Sequence, residues 1–441
     1  MSINQTGDFK SEAIWVFAGQ AGSAIGILLG VKVITQFLDP FEYGRLSLAT
    51  TLVNLIGMNF FGPLAQGLMR FWSISQNNNH LAAFNAISKR YIGFLLFLVV
   101  TIGIIVFLGF LVIKRNDWAI LLVLSVLLGG LTGWSRIRLS ILMAARKRKS
   151  VALINSGTEF LKPIIAVIFF VIFLSDANYV MVGYLLAMSV SLSVTIYFYK
   201  KTFQETLCLT PIVQSSDQHK KELGKEILTF STPFLVWGWF SWLHQSTDRW
   251  ALVTYHNTHV VGGFTVLTQL AIYPILFCVN LLSNFFLPIA YDRAGNLASK
   301  DSITSGNRII VLMAAIYFLG ASTFIIITSL FHHMLVLLIS TDEYARLSYL
   351  LPGLTISWAL FYFGQMLTGF GLLANRTWMY VPPIIACGII ATGSTFYLTA
   401  KMGPSGAVWG LGIAGGVYAF WCLMIAIQIL TSKQETSTSN I

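Results

Sequence analysis

The stretch YIGFLLFLVVTIGIIVFLGFLVI, Tyr91 to Ile113, decides the fold: 23 residues run without one charged side chain. A helix rises about 1.5 Å per residue, so this length crosses a hydrocarbon core about 30 Å thick. In lipid every backbone N–H and C=O must be paired inside the segment, which a helix achieves. Working outward from this block, similar blocks recur along the whole chain. They run approximately from Ala13 to Phe37, Tyr43 to Trp72, Tyr91 to Ile113, Trp118 to Ala144, Val151 to Leu174 and Tyr179 to Tyr199. Six more follow, from Ile227 to Val253, Val260 to Pro288, Ile309 to Leu330, Tyr349 to Leu372, Trp378 to Leu398 and Ala407 to Leu430. The chain therefore reads as an all-α polytopic membrane protein with about 12 transmembrane helices. The apolar stretch from Phe331 to Ser340 is too short to span and is expected at the membrane interface. Composition agrees. Of 441 residues, 56% are hydrophobic and only 10% charged, against about a quarter charged in soluble domains.

The polar start, Met1 to Glu12, precedes an apolar run too long for a signal-peptide core, so the first block is expected to stay as a membrane helix. Orientation follows from the basic residues. Of 28 Lys and Arg, 18 fall in segments on the side of the N-terminus, 6 on the opposite side and 4 inside spans. This positive-inside bias puts both termini in the cytoplasm. It also accounts for the net charge of +11 through anionic lipid headgroups, with no nucleic-acid partner. The longest connection, Lys200 to Glu226, divides the chain into residues 1–199, a cytoplasmic linker 200–226, and residues 227–441, with six spans in each half. Large transporters often consist of such repeated halves. A faint internal repeat supports this. Tyr43-Gly44 and Gly262-Gly263 open equivalent spans, and Ser47, Thr50 and Leu52 match Thr265, Thr268 and Leu270 in spacing.

Several motifs fall in a characteristic order. Phe37-Leu38-Asp39-Pro40-Phe41-Glu42-Tyr43-Gly44 closes the first span, Pro63, Gln66, Gly67 and Arg70 close the second, and Asp248-Arg249 precedes Val261-Gly262. This resembles the polysaccharide and lipid-linked oligosaccharide flippases of the multidrug/oligosaccharidyl-lipid/polysaccharide exporter superfamily. The resemblance covers the whole chain. It implies two six-helix lobes around a central cavity, with spans one and seven on its wall, and alternating access. It implies a polyprenyl-diphosphate-linked glycan as substrate, carried from the inner to the outer leaflet of a bacterial or archaeal cytoplasmic membrane. Membrane lipids, a polysaccharide polymerase and chain-length machinery are the other implied partners.

Charged residues inside spans usually face the bundle interior or a cavity. Lys162 lies about 16 Å into span five. Glu159 is three residues earlier on the same face, and Pro163 should kink the helix. The pair reads equally as a cavity cation restrained by a carboxylate or as a structural ion pair. Arg136 and Arg138 lie late in span four, where they can catch a diphosphate or simply snorkel. Arg70 is similar. Lys32 and Gln20 are candidates to line the cavity because the resemblance puts span one there. Asp248 and Arg249 read as a gate or structural clamp.

The histidines His256 and His259 lack a third ligand, so no metal site is expected, and the four cysteines show no paired spacing. Trp72, Trp118, Tyr199, Trp250 and Trp378 read as interfacial belts. No Gly-rich phosphate loop and no cofactor motif appear, and a coupling ion, H+ or Na+, stays open. A cation-coupled small-molecule or drug exporter is the main rival. Coupling usually needs buried carboxylates, and Glu159 is the clear mid-membrane one in the sequence. An enzyme, such as a membrane glycosyltransferase or polysaccharide polymerase, would need a larger extramembrane loop or an acidic cluster. Asp342 and Glu343 stand alone.

Overall fold

The computed structural model describes residues 5–113, 116–173, 175–209, 217–294, 300–374 and 376–431, and no strand occurs among them. Twelve long helices follow one another. They are α1 (Gln5–Phe37), α2 (Pro40–Asn77), α3 (Leu81–Ile113), α4 (Asn116–Ala144), α5 (Arg148–Ile172), α6 (Ala177–Leu209), α7 (Asp217–Tyr255), α8 (Thr258–Ala294), α9 (Lys300–Ile339), α10 (Leu351–Leu373), α11 (Val381–Met402) and α12 (Pro404–Thr431). Among the described residues, eleven of these are long and apolar enough to cross a membrane. The twelfth, α7, is less apolar because His244, Gln245, Asp248 and Arg249 interrupt it. The helices alternate in direction. One end of the bundle holds the tight α1–α2 and α7–α8 turns and is called the turn end below. The other holds the Lys- and Arg-rich connections and is called the basic end.

Two boundaries and one belt assignment differ from the sequence reading. Most of the expected linker 200–226 is helical, because α6 runs to Leu209 and α7 starts at Asp217, while residues 210–216 lie outside the described set. The supposed interfacial stretch after Leu330 continues α9 to Ile339 beyond a break in helical geometry at Phe331. Trp72 and Tyr199 are not belt residues. Both are buried, and Trp72 packs edge-on against Phe84. Trp250 and Trp378 are exposed, as a belt requires.

Helix neighbours fall into two sets. In the first half α1 packs on α5, α4 on α6 and α2, and α5 on α6; in the second α12 packs on α10 and α11, α7 on α11, and α8 on α9 and α10. The sets meet along a seam made by α2 against α8 and α7, and by α1 against α8.

At the turn end the seam is flush. Asp39 caps α2 by accepting from the Glu42 amide (2.8 Å), with Pro40 in the first turn. This starts α2 in position to cross α8. At the crossing, a Cβ on Gly44 would overlap the Thr258 carbonyl oxygen, and one on Gly262 would overlap the Pro40 carbonyl oxygen. Only hydrogen fits at either position. Ser47 and Thr265, 218 residues apart like Gly44 and Gly262, touch through their hydroxyls at 2.7 Å. Thr265 donates its own proton to the Val261 carbonyl, so Ser47 is the donor. Equivalent residues of a repeat touch only at the axis relating the copies. The faint repeat in the sequence is therefore a two-fold crossing in space. Tyr43 Oη donates to Gln269 Oε1 (2.8 Å), and Tyr344 Oη donates to the Leu38 carbonyl (2.7 Å), closing the same end.

Halfway along, α2 contains a π turn, Gly57–Phe61. Pro63 has no N–H to offer the Asn59 carbonyl, and the wider turn sits just before it. Such turns often mark functional positions. Asn59 is fully buried there against Gly238 of α7, and its amide atoms have no hydrogen-bond partner.

Candidate functional site at the centre of the seam

Lys162 and Glu159 form an ion pair at 2.7 Å, with side chains 24% and 25% exposed. Their place is fixed by α1. Its glycines Gly19, Gly22, Gly26 and Gly30 lie on Ala152, Ser156, Glu159 and Pro163 of α5 in turn. Small residues at this spacing let two helix backbones approach closely in a membrane. A Cβ on Gly26 would come 3.1 Å from the Glu159 Cβ, so the pair sits directly above the α1–α5 contact. The helix runs unbroken through Pro163 from Arg148 to Ile172. Because Pro163 lacks an N–H, the main-chain carbonyl of Glu159 has no helical donor. The site therefore gains one acceptor beside the carboxylate.

Tyr184 of α6 and Tyr273 of α8 lie within electrostatic reach of Glu159, and Arg249 of α7 and Tyr362 of α10 within reach of Tyr273. All four are half-buried. Arg249 donates to the Gln245 carbonyl at 2.8 Å, while its Nε is buried without a partner. The sequence reading did not single out the three tyrosines. Their spacing carries no signal, because they come from three helices that only the fold brings together.

Toward the basic end the polar track continues. Asn280 of α8 donates to Gln20 of α1 at 3.2 Å. Asn284 and Asn155 share a small pocket with Gln20 and Gly19. Asn155, Glu159 and Lys162 are spaced to lie on one face of α5, and Tyr273, Asn280 and Asn284 on one face of α8.

The remaining candidates separate. Arg136 is exposed, with more than a third of its surface accessible. Arg138 neither lines a cavity nor snorkels. It is buried, stacks over Tyr199 at 4.1 Å and reaches Ser88 Oγ at 3.3 Å, so its charge is engaged inside the first half. Lys32 is exposed on the same stripe of α1 as Ile25 and Leu29. That stripe is distinct from the glycine face on α5 and from the buried Val31 and Ile34, so Lys32 leaves the cavity set. Arg70 stacks over Phe230 of α7 at 4.4 Å, bridging the two sets near the basic end.

Asp248 is fully buried rather than at an open gate. Both carboxylate oxygens lack a hydrogen-bond partner, and Arg249 is 3.9 Å away. The nearby amides of Asp248 and Arg249 are interior to α7 and belong to its ladder. One turn earlier on α7 the second half buries His244, stacked on Phe361 at 4.2 Å. Among the described residues no three His, Cys, Asp or Glu side chains group as a metal site.

A family model described as "Polysaccharide biosynthesis protein" matches residues 9–290. No curated protein matches the chain. Among solved structures, an inward-facing multidrug resistance MATE family transporter of the MOP superfamily aligns over 96% of this chain and 99% of its own, at 13% identity and TM-score 0.68. The outward-facing conformation of such a transporter aligns over 95% of each chain, at 14% identity and TM-score 0.63. A MOP superfamily transporter from Pyrococcus furiosus, whose binding pocket is described as having reverse polarity, aligns over 95% of each chain at 15% identity and TM-score 0.60. The twelve-helix reading and this architecture agree.

Proposed function

Because the chain belongs to the polysaccharide biosynthesis protein family of the MOP superfamily, we propose that it moves a polyprenyl-diphosphate-linked glycan across the cytoplasmic membrane. The basic end and both termini face the cytoplasm, and the direction is from that leaflet to the outer one. One observation carries this reading: the half-buried Lys162–Glu159 pair in the middle of α5, with Tyr184 and Tyr273 in reach of Glu159 and Arg249 and Tyr362 beyond them.

The chemistry suits the substrate. An unaided diphosphate faces a barrier of tens of kcal/mol in hydrocarbon by an idealised Born estimate. Lys162 and Arg249 supply opposing charge inside the bundle, and Arg136 supplies it nearer the basic end. Tyrosine rings offer flat faces and hydroxyls to sugars. Gln20, Asn155, Asn280 and Asn284 give a polar route toward the site. The polyprenyl tail stays in lipid while the head passes between the helix sets. A polymerase and chain-length machinery would then consume the product outside.

A second reading, cation-coupled export of small molecules, is favoured by Asp248. An ionised carboxylate buried without hydrogen bonds, its ion pair with Arg249 stretched to 3.9 Å, is costly, and a proton or further cation beside it removes that cost. The same residue serves coupling in either reading. Lys162 and Arg249 outnumber the one accessible carboxylate among the described residues of this site, Glu159, which disfavours positively charged drugs and favours the anionic glycan lipid.

The test is reconstitution. Proteoliposomes carrying a short polyprenyl-diphosphate oligosaccharide are assayed by access of an added lectin to the glycan, and in parallel for efflux of a fluorescent organic cation. Protein-dependent exposure of the glycan without efflux supports the proposal. Efflux without glycan movement overturns it in favour of the second reading.

A further inference from the structure

A groove of about 910 Å³ opens between α2, α3 and α7 near the basic end, away from the central site. We propose that it binds one anionic phospholipid from the leaflet at that end, and that this lipid sets the spacing of the two helix sets.

The groove has two chemically distinct parts. Arg90 of α3 and Lys220 and Lys221 at the start of α7 form its rim, so the cations converge from both halves of the molecule. The walls below are apolar. Phe60 comes from α2, Phe94 from α3, and Leu228 and Leu235 from α7. Phe94, Leu228 and Leu235 are 62%, 48% and 41% exposed, so this wall opens onto the bilayer. A basic rim over an apolar slot matches a phosphate headgroup over a hydrocarbon chain. Glu222 and Glu226 do not line the groove.

The slot has a built floor and ceiling. Tyr91 lies over Gly224, where a Cβ would come 2.6 Å from the Tyr91 Oη. That contact joins α3 to α7 directly beside the rim. On the other side Gly67 of α2 lies against the backbone of Ile227. A lipid between these two contacts touches both helix sets at once.

Two features favour a phospholipid over the glycan carrier. Ser231 and Thr232, which line the α7 wall, donate back to the Ile227 and Leu228 carbonyls, so their protons are not offered to sugar. The rim also meets the bilayer directly, where bulk phospholipid is in contact without leaving its leaflet.

The test uses the full chain in detergent, with phosphatidylglycerol and phosphatidylcholine as probes and bound lipid read by native mass spectrometry. Wild type should hold phosphatidylglycerol in preference to phosphatidylcholine. Lys221→Gln, on an exposed side chain, should weaken phosphatidylglycerol about fivefold, and Arg90→Gln with Lys221→Gln about 25-fold, at about 1 kcal/mol per cation. Leu228→Trp, which fills the slot and leaves the charges, should also remove the bound lipid. Melting in lipid-free detergent should not change for any of them. Equal retention of both lipids by wild type overturns the proposal. So does loss of lipid in the charge variants but not in Leu228→Trp, which would reduce the rim to a diffuse surface charge. Displacement of phosphatidylglycerol by equimolar polyprenyl phosphate would overturn the choice of lipid and assign the groove to the carried substrate.

Discussion

The seam between the two helix sets is built in opposite ways at its turn end and at its centre. At the turn end α2 and α8 touch backbone to backbone through Gly44 and Gly262, with Ser47 on Thr265 and two tyrosines clasping the helix ends. At the centre the two sets bring half-buried charge and phenol together, with the Lys162–Glu159 pair near Tyr184 and Tyr273. In the proposed transport cycle the flush turn end is the natural pivot, and the polar centre is what the motion would expose. The contrast also explains where small and where charged residues are placed. Glycines occupy positions that must approach, and ionisable groups occupy positions that must stay apart.

The largest effect is expected at the crossing. Gly44→Val and Gly262→Val each force the helices apart against main-chain carbonyls. Each should cost roughly 1–3 kcal/mol, toward the upper figure, and cut transport at least tenfold. Thermal melting in detergent and labelling of a cysteine placed at Ser47 check this. Unchanged melting with Ser47→Cys still protected would show that the end is not flush.

Asp248 comes next. Asp248→Asn keeps the shape and removes the need for a proton or cation. Stability should stay within about 1 kcal/mol of wild type while coupled transport falls. If Asp248 instead neutralises Arg249 as a buried clamp, the variant strands a cation at about 3–5 kcal/mol. A large loss of melting temperature would therefore restore the clamp reading.

The smallest effect is at the basic end of the seam. Arg70→Gln removes a cation–π contact with Phe230 and should cost about 0.5–1 kcal/mol, with transport changed less than by either central variant. A larger loss than at Gly44 would reverse the comparison and make the basic end the tighter one.

The sequence shows unequal amounts of this. Helix number and direction are legible because lipid enforces length and apolarity on each span separately, and α3 is readable by itself. The repeat is also visible, but its meaning is not. Nothing in Ser47 and Thr265 says that the two hydroxyls touch; that needs the axis between them. Lys162 and Glu159 were identifiable because a three-residue spacing on a helix implies contact. Tyr184, Tyr273 and Tyr362 were not, since their neighbourhood is formed by three helices far apart in the chain. Arg136 and Arg138 show the limit most clearly. They are two residues apart on one helix, so they point to different faces. The fold leaves one exposed and puts the other into a stack with Tyr199.

The central claim is that Lys162 acts on the substrate as a cavity cation with Glu159 holding it in place. It is tested by one cycle measuring stability and glycan flipping for Lys162→Gln, Glu159→Gln and the double variant. The account predicts a stable, folded Lys162→Gln protein with transport reduced at least tenfold, a smaller loss in Glu159→Gln, and no recovery in the double. If the pair is only structural, each single change strands a charge and lowers melting, and the neutral double regains both stability and transport. Full transport in the double variant would contradict the account.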